Sequence, residues 1–411
     1  MIDSSHIVDG VIKVSKPFAF EKPLGMRDIL PELVRKKQYA TGLIQQVFDR
    51  WGYARIETPT LEYFDTVGGL SPTIENKMFK LLDRSGRSLV LRPDFTAPIA
   101  RVVASLLKEE PFPIRLSYQG PVYRAQETEA GRDAEFPEVG VELIGEEAPD
   151  ADAEVIALAC AALQEVHIPS FKLAIGHIGL VNALFNEMMD QDWARKLRTS
   201  LHHKDYVGYK SLVEKGPFSP AERDVLLAIR TWRGDFSQLE NLKNMLDSDR
   251  LRREVDDLLE LWTCLQLYRV TERLIFDLSL VSDRAYYTGV FFEAYASSVG
   301  FPLGSGGRYD HLLGQFGRPA PATGFTLKVD RIVEASGLKW PKQEKHVLIT
   351  YSSKEREKAI RLAEERRQQG QRVTLHRLTE REDELDKAKH RFDEWVRLEQ
   401  EDEADESRAG R

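Results

Sequence analysis

From Ile178 to Leu274 the sequence reads almost wholly as helix, broken near Gly216, Pro217 and Pro220, while the chain on either side is a series of short strand-like runs. Those runs lie at Ser88 to Leu91, Ile114 to Tyr118, Gly120 to Arg124, Phe136 to Ile144 and Tyr286 to Ala296, and turn residues separate them. Strands gathered around a few helices, without regular strand and helix alternation, predict an α+β fold with an antiparallel sheet. The helical stretch is then an insertion. One amphipathic helix precedes the strands: Leu33, Val34, Ala40, Leu43, Ile44, Val47 and Phe48 recur at three- and four-residue spacing, and Trp51 and Gly52 end it.

A chain of 411 residues with 42% apolar content buries a large core, and its length predicts two or three domains. Lys and Arg number 58 against 66 Asp and Glu, a formal charge of -8 that gives no global attraction for nucleic acid. Cys160 and Cys264 both sit in apolar helical patterns and are expected to be buried free thiols, which fits a reducing cytoplasm. No signal-peptide core and no run of eighteen uncharged apolar residues is present, so neither export by that route nor a membrane span is expected. From Lys345 the pattern becomes strand (His346 to Tyr351), helix (Lys354 to Gln369), Gly370 and strand (Arg372 to Leu378), a single β-α-β unit too short for a full domain. Thr379 to Arg411 is dominated by charge and predicts a solvated helix fraying into an acidic tail. No internal repeat is found.

Several phrases carry candidate chemistry, and each is weak alone. Leu91-Arg92-Pro93-Asp94-Phe95-Thr96 joins an anionic oxygen to a hydroxyl, a pair that suits a cation needing several acceptors, although Arg-Pro-Asp by itself is an ordinary turn. Arg124 closes a strand-like run, and its planar donor fork suits a carboxylate or phosphate. Glu138 and Glu142 lie four apart on the returning run, so they share one sheet face, as a ligand-reading pair or as a solvated one. Gly304-Ser305-Gly306-Gly307 would otherwise be a tight turn, since no strand-turn-helix of a dinucleotide site surrounds it. His202 and His203 are adjacent, not spaced as a helical metal pair, and are expected to be exposed.

The order of these phrases resembles the class II aminoacyl-tRNA ligases, and within them the histidyl-tRNA ligase family. Gly25 to Pro31, the helix after it and Trp51 to Glu62 are similar to motif 1, which implies a homo-dimer. Tyr118 to Arg124, Gly131-Arg132 and Phe136 to Glu142 are similar to motif 2, Gly324 to Arg331 to motif 3, and Leu278 to Glu293 to the histidine-specific signature. The resemblance implies a histidine-like pocket. Asp94, Thr96 and Glu138 would lie near the ammonium group, Arg124 at the carboxylate and, in the ligases, the α-phosphate, and Glu142 at the imidazole, with Tyr286 and Tyr287 also retained on the amino acid side. It spans about Gly25 to Ile332, weakens in the insertion, and matches the family's anticodon-binding domain only in its first β-α-β part.

Three positions depart from the ligase pattern. Gln126 stands for a Glu, Ser282 for the catalytic Arg, and Lys328 for a Gly that lies against adenine, where a lysine should crowd a nucleotide. Losing a donor such as that Arg typically costs roughly 3 kcal/mol of transition-state stabilisation. Arg284, two residues on, returns to the same strand face and offers a partial substitute, and Arg331 is retained. Loss on the nucleotide and tRNA side with retention on the amino acid side resembles the regulatory subunits of ATP phosphoribosyltransferase, paralogues of the ligase.

The resemblance implies a non-catalytic cytoplasmic subunit, with no catalytic residue, no metal and no cofactor of its own. A short-form catalytic subunit would be its partner in a hetero-octamer built on homo-dimers, histidine its effector, and neither tRNA nor membrane a partner. A divergent histidyl-tRNA ligase is the alternative. The expected layout is an N-terminal extension (1–24), a ligase-like core (25–335, insertion about 178–274), a partial anticodon-domain-like unit (345–378) and a charged tail (379–411).

Overall fold

The computed structural model describes residues 7–8, 11–12, 20–71, 73, 75–125, 133–234, 238–245, 248–281, 287–341, 344–378 and 389–399. A two-residue hairpin, β1 (Ile7–Val8) and β2 (Val11–Ile12), comes first. Helix α1 (Pro31–Arg50) starts with Pro31 in its first turn, where a missing N–H costs nothing, and buries Ala40, Ile44, Val47 and Phe48. Gly52, at φ 82°, turns the chain after it. Strand β3 (Ala54–Arg55) leads to a small antiparallel sheet of β4 (Leu61–Tyr63), β5 (Lys80–Leu82) and β6 (Ser88–Leu91), and then to α2 (Thr96–Ser105).

The long strands β7 (Ile114–Tyr123) and β8 (Glu135–Ile144) pair antiparallel along their whole length. The two runs expected at Ile114 to Tyr118 and Gly120 to Arg124 are therefore one strand, because Gln119 and Gly120 stay extended opposite Val139 and Glu138. Helix α3 (Pro149–Glu165) and β9 (Phe171–His177) follow. The insertion is α4 (Ile178–Met188), α5 (Gln191–His202), α6 (Tyr206–Lys215), α7 (Pro220–Ile229), β10 (Arg233–Gly234), α8 (Gln238–Met245) and α9 (Asp249–Leu267).

It is thus not wholly helical. Strand β10 pairs with β11 (Leu274–Asp277), where Arg233 Nε donates to Asp277 at 2.8 Å. The core closes with β12 (Val290–Ala296), β13 (Gly304–Arg308), β14 (Ala322–Lys328) and α10 (Val329–Ala335). Strand β12 starts at Val290, later than the expected Tyr286; Tyr287 to Gly289 precede it without strand pairing. Cys160 is buried, whereas Cys264, also expected to be buried, lies half-exposed on α9.

Nine strands form one sheet in the order β10-β11-β9-β12-β13-β14-β8-β7-β3. All its pairings are antiparallel except β11 with β9 and β3 with β7. Helices α1, α3 and α10 cover one face. Across the other face, register aligns Glu142 with Gly324, Gly324 with Gly307 and Gly307 with Phe291, which fixes the row of residues facing the site.

Lys339–Arg411 forms a compact unit of its own. Strand β15 (His346–Tyr351), α11 (Arg356–Gln368) and β16 (Arg372–Arg377) make the expected β-α-β, with Val347, Ile349, Ala359 and Ala363 as its core. The reading of Thr379 to Arg411 as a solvated helix is corrected by β17 (Glu394–Leu398), which pairs parallel with β15. Val396 and Leu398 join the core, and Trp395 Nε1 donates to Thr350 Oγ1 at 2.8 Å. Alternation over five residues suffices for a strand when a hydrophobic neighbour is already in place.

Candidate functional site

Glu142 is the centre of the site. It lies on β8, 2% exposed, with both carboxylate oxygens engaged. Thr96, the first residue of α2, donates from Oγ1 to its Oε1 at 2.8 Å. The Tyr309 hydroxyl donates to Oε2. Burial pushes the carboxyl up to about 8 against the pull of these two hydrogen bonds, and the charge of Asp94 adds to the rise. A solvated glutamate pair is thereby excluded.

The floor beside Glu142 consists of glycine. A Cβ on Gly324 would stand 2.0 Å from Glu142 Oε2, and one on Gly307 would stand 3.0 Å from Tyr287 Cδ1. Strands lie roughly 4.8 Å apart, and the bare backbone at Gly324 and Gly307 floors a slot between Glu142 and Phe291, which stand three strand spacings apart. Tyr287 packs over that end, its ring 4.7 Å from that of Phe291. The glycine-rich phrase is therefore a strand, and its small residues are needed because side chains from both flanks lean over it.

Asp94 sits just ahead of α2, buried, where Oδ1 accepts from the backbone N–H of Ala97 at 3.2 Å and Oδ2 from the Ser71 hydroxyl. Arg124 reaches from the end of β7 to the Pro93 carbonyl with Nε, at 2.8 Å, and to Glu138 Oε1 with Nη2, at 3.3 Å. Glu138 is 1% exposed, so this ion pair holds a buried acid two residues along the same face from Gly140 and four from Glu142. Asp94, Thr96, Arg124, Glu138, Glu142 and Tyr287 are thus gathered along one sheet face. Tyr286, Gln126 and Ser282 lie outside the described residues.

Lys328 ends β14 opposite Glu138, half-buried, with its ammonium 5.7 Å from the centre of the Phe136 ring. It lines a cavity of about 680 Å³ together with Arg124, Phe136, Glu293 and Arg331. His202 and His203 are exposed as expected, and no cluster of metal-ligating side chains occurs among the described residues.

Sequence reasoning missed Tyr309 and Ser71. Tyr309 follows Gly307 by two residues, a spacing that returns it to the glutamate's face, and this was the signal available. Ser71 lies 23 residues from Asp94 with no local pattern to link them. Also missed was the support behind the site. Arg308, between Gly307 and Tyr309, points to the opposite face and pairs with Asp152 of α3 through Nε at 2.8 Å, with further bonds to the carbonyls of Glu146 and Ala148. Asp310 accepts from Thr288 Oγ1 at 2.9 Å, anchoring the residue next to Tyr287. His177 caps α4 by accepting the Leu180 N–H on Nδ1 at 2.9 Å. Burial, with the Arg308 charge, lowers it to about 4, so it is a neutral cap despite Glu254 at 3.7 Å.

A family model described as histidyl-tRNA synthetase matches residues 25–332. The ATP phosphoribosyltransferase regulatory subunit of Geobacillus thermodenitrificans is 48% identical over 363 residues, which cover 88% of this chain and 92% of that protein. The chain belongs to the ATP phosphoribosyltransferase regulatory subunit family. The family's member from Bacillus subtilis is 47% identical over 363 residues, covering 88% of this chain and 93% of that one. A crystal structure from Bacillus halodurans, described as an ATP phosphoribosyltransferase regulatory subunit/histidyl-tRNA synthetase, is 42% identical with a TM-score of 0.88, covering 94% of this chain and 100% of that chain. Histidyl-tRNA synthetase from Nostoc, 20% identical with a TM-score of 0.74 over 92% of this chain and 90% of its own, shares the fold. The α+β, class II ligase-like architecture is that of the family. No described helix is long and apolar enough to cross a membrane.

Proposed function

We propose that this chain is the regulatory, non-catalytic subunit of a cytoplasmic ATP phosphoribosyltransferase, required for the activity of a short-form catalytic subunit and for histidine feedback on the first step of histidine biosynthesis. The observation that carries the effector is Glu142, held by Thr96 and Tyr309 at the edge of a glycine floor. A buried carboxyl with two fixed donors keeps lone pairs for an imidazole N–H, and only glycine backbone lies between it and Phe291 on that face. Asp94, Glu138 and Arg124 supply acceptors for an ammonium group and a donor fork for a carboxylate, and Tyr287 packs on Phe291 at the far end of the glycine floor. Every one of these groups favours a free amino acid with an aromatic, hydrogen-bonding side chain.

Histidine acts by population shift. It binds one arrangement of a hetero-oligomer more tightly than another, and the difference in affinity is the whole of its regulatory effect. Ser282 in place of the ligase arginine and Lys328 in place of the adenine-facing glycine account for a pocket that senses the amino acid without activating it. The assembly is a hetero-octamer of homo-dimers with the catalytic subunit, and tRNA is not a partner. Calorimetric titration with histidine tests the pocket. Saturable binding that Glu142→Gln weakens at least tenfold supports it, and binding indifferent to that substitution removes it. Histidine-dependent exchange of pyrophosphate into ATP would instead establish a divergent ligase.

A further inference from the structure

Gly179 stands in the first turn of α4, where a poor helix former needs a local reason. The reason is the chain that leads into β12. A Cβ on Gly179 would lie 2.5 Å from the Thr288 carbonyl oxygen, closer than real Cβ atoms come, so only the bare α-carbon lets the helix start where it does. Glu254 Oε2, at 3.2 Å, belongs to a flexible side chain and can give way; the carbonyl cannot. The neighbours of Gly179 fix the same contact. The Ile178 N–H donates to the Gly289 carbonyl at 2.9 Å, and His177, paired with Val290 across β9 and β12, caps α4 by accepting the Leu180 N–H.

Thr288 carries that contact to the slot. Its N–H donates to the Arg308 carbonyl at 2.8 Å, and its Oγ1 donates to Asp310 at 2.9 Å while accepting the Asp310 N–H at 3.1 Å. With the carbonyl lying against Gly179, the residue is fixed on every side. Tyr287 directly precedes it and lies outside the strands, so its ring follows the backbone direction at Thr288. That ring stands over the glycine floor, with Cδ1 3.0 Å from where a Cβ on Gly307 would be and its centre 4.7 Å from that of Phe291.

We infer that Gly179 is a positioning residue for the Glu142 slot: its bare α-carbon seats the start of α4 against Thr288 and thereby sets Tyr287 over the glycine floor. Gly179 acts only through these neighbours and touches no ligand itself. A methyl group there has to be accommodated by the Thr288–Gly289 peptide, because the Thr288 side chain and N–H are held by Asp310 and Arg308. Turning that peptide carries Tyr287 with it. Linkage works in both directions, so a ligand that holds Tyr287 in place also steadies the first turn of α4. The ligand-dependent part of this inference rests on the reading of the slot as a histidine site; the placement of Tyr287 does not.

The full chain carrying 3-fluorotyrosine at position 287 reports on that ring by fluorine NMR with no ligand present. Gly179→Ala should move the resonance beyond its linewidth while the circular dichroism stays that of the unaltered chain, and Gly314→Ala should leave it in place. Calorimetry should find histidine binding to Gly179→Ala weakened roughly tenfold, the scale of a coupling between linked sites. In the unaltered chain, saturating histidine should slow hydrogen exchange of the Ile178 amide and leave the amides of α11 unchanged, a readout that needs no variant to fold. An unmoved resonance in folded Gly179→Ala, undiminished binding, or an Ile178 amide indifferent to bound histidine would each overturn the inference. If the unaltered chain binds no histidine, the reading of the slot falls, and the fluorine resonance alone decides the role of Gly179.

Discussion

The Tyr309 hydroxyl donates to Oε2 of Glu142, joining the residue after the glycine strand to the acid on β8. Thr96 secures the other oxygen at 2.8 Å, so the carboxyl is fixed from two elements far apart in the chain. Tyr309→Phe keeps the ring and removes one donor. Leaving a buried acceptor without its donor costs about 1–3 kcal/mol, so histidine binding should weaken roughly fivefold to a hundredfold by calorimetry, while the fold is retained. Because Tyr309 lowers the Glu142 pKa, the variant should also raise it, read by NMR titration of the glutamate carboxyl carbon.

Glu142 gives the stability a pH signature. Its folded pKa, about 8, lies above the ordinary value of 4.5, so the native state holds a proton that the unfolded chain releases between these values. Its contribution is fully present below about 4.5 and is lost as pH rises towards about 8. Glu142→Gln removes that loss. Urea unfolding should find the variant gaining on the unaltered protein as pH goes from 5 to 8, by a few kcal/mol in order of magnitude.

His177 works in the opposite direction. Its folded pKa is about 4 against an ordinary 6.5, so below pH 6.5 the unfolded chain takes up a proton that the native cap refuses. Stability therefore falls as pH drops from 6.5 towards 4. His177→Asn, which keeps a capping acceptor, should flatten this part of the unfolding curve, measured with histidine absent.

How far the sequence anticipates these groups depends on distance along the chain. Helix α1, β6, β8 and the Glu138–Glu142 face follow from periodicity within a dozen residues, and the structure places them as expected. Asp152 and Arg308 lie 156 positions apart, and nothing local to either indicates a partner. Strand β17 was hidden by its charged flanks, and β10 by a two-residue length that only the edge of β11 makes a strand. The site residues came from an ordered set of phrases, whereas Tyr309 needed the strand register and Ser71 the tertiary fold.

The Arg308–Asp152 pair is buried behind the site, and removing Asp152 takes away the closer acid of Arg308 and leaves it, among the described residues, only Asp310, at 3.4 Å. Asp152→Ala should lose about 3–5 kcal/mol in chemical denaturation. Replacing both by apolar residues of similar size should recover much of it. The double variant should nonetheless bind histidine more weakly, because Arg308 anchors the strand that carries Tyr309.

Gly324 tests the slot itself. A methyl group there would lie 2.0 Å from Glu142 Oε2 and 2.4 Å from the Val141 carbonyl. Gly324→Ala should displace the carboxylate and abolish detectable histidine binding. Gly314→Ala, where an added Cβ meets only Pro319 at 3.8 Å, should leave binding unchanged in the same calorimetric assay.

The most direct test of the central claim is the ATP phosphoribosyltransferase activity of a short-form catalytic subunit from the same source, measured with and without this chain across a histidine titration. Activity should appear on mixing and fall as histidine rises, with the fall shifted to higher histidine by Glu142→Gln. No gain in activity on mixing would contradict the regulatory role, and activity gained but indifferent to histidine would contradict the effector pocket.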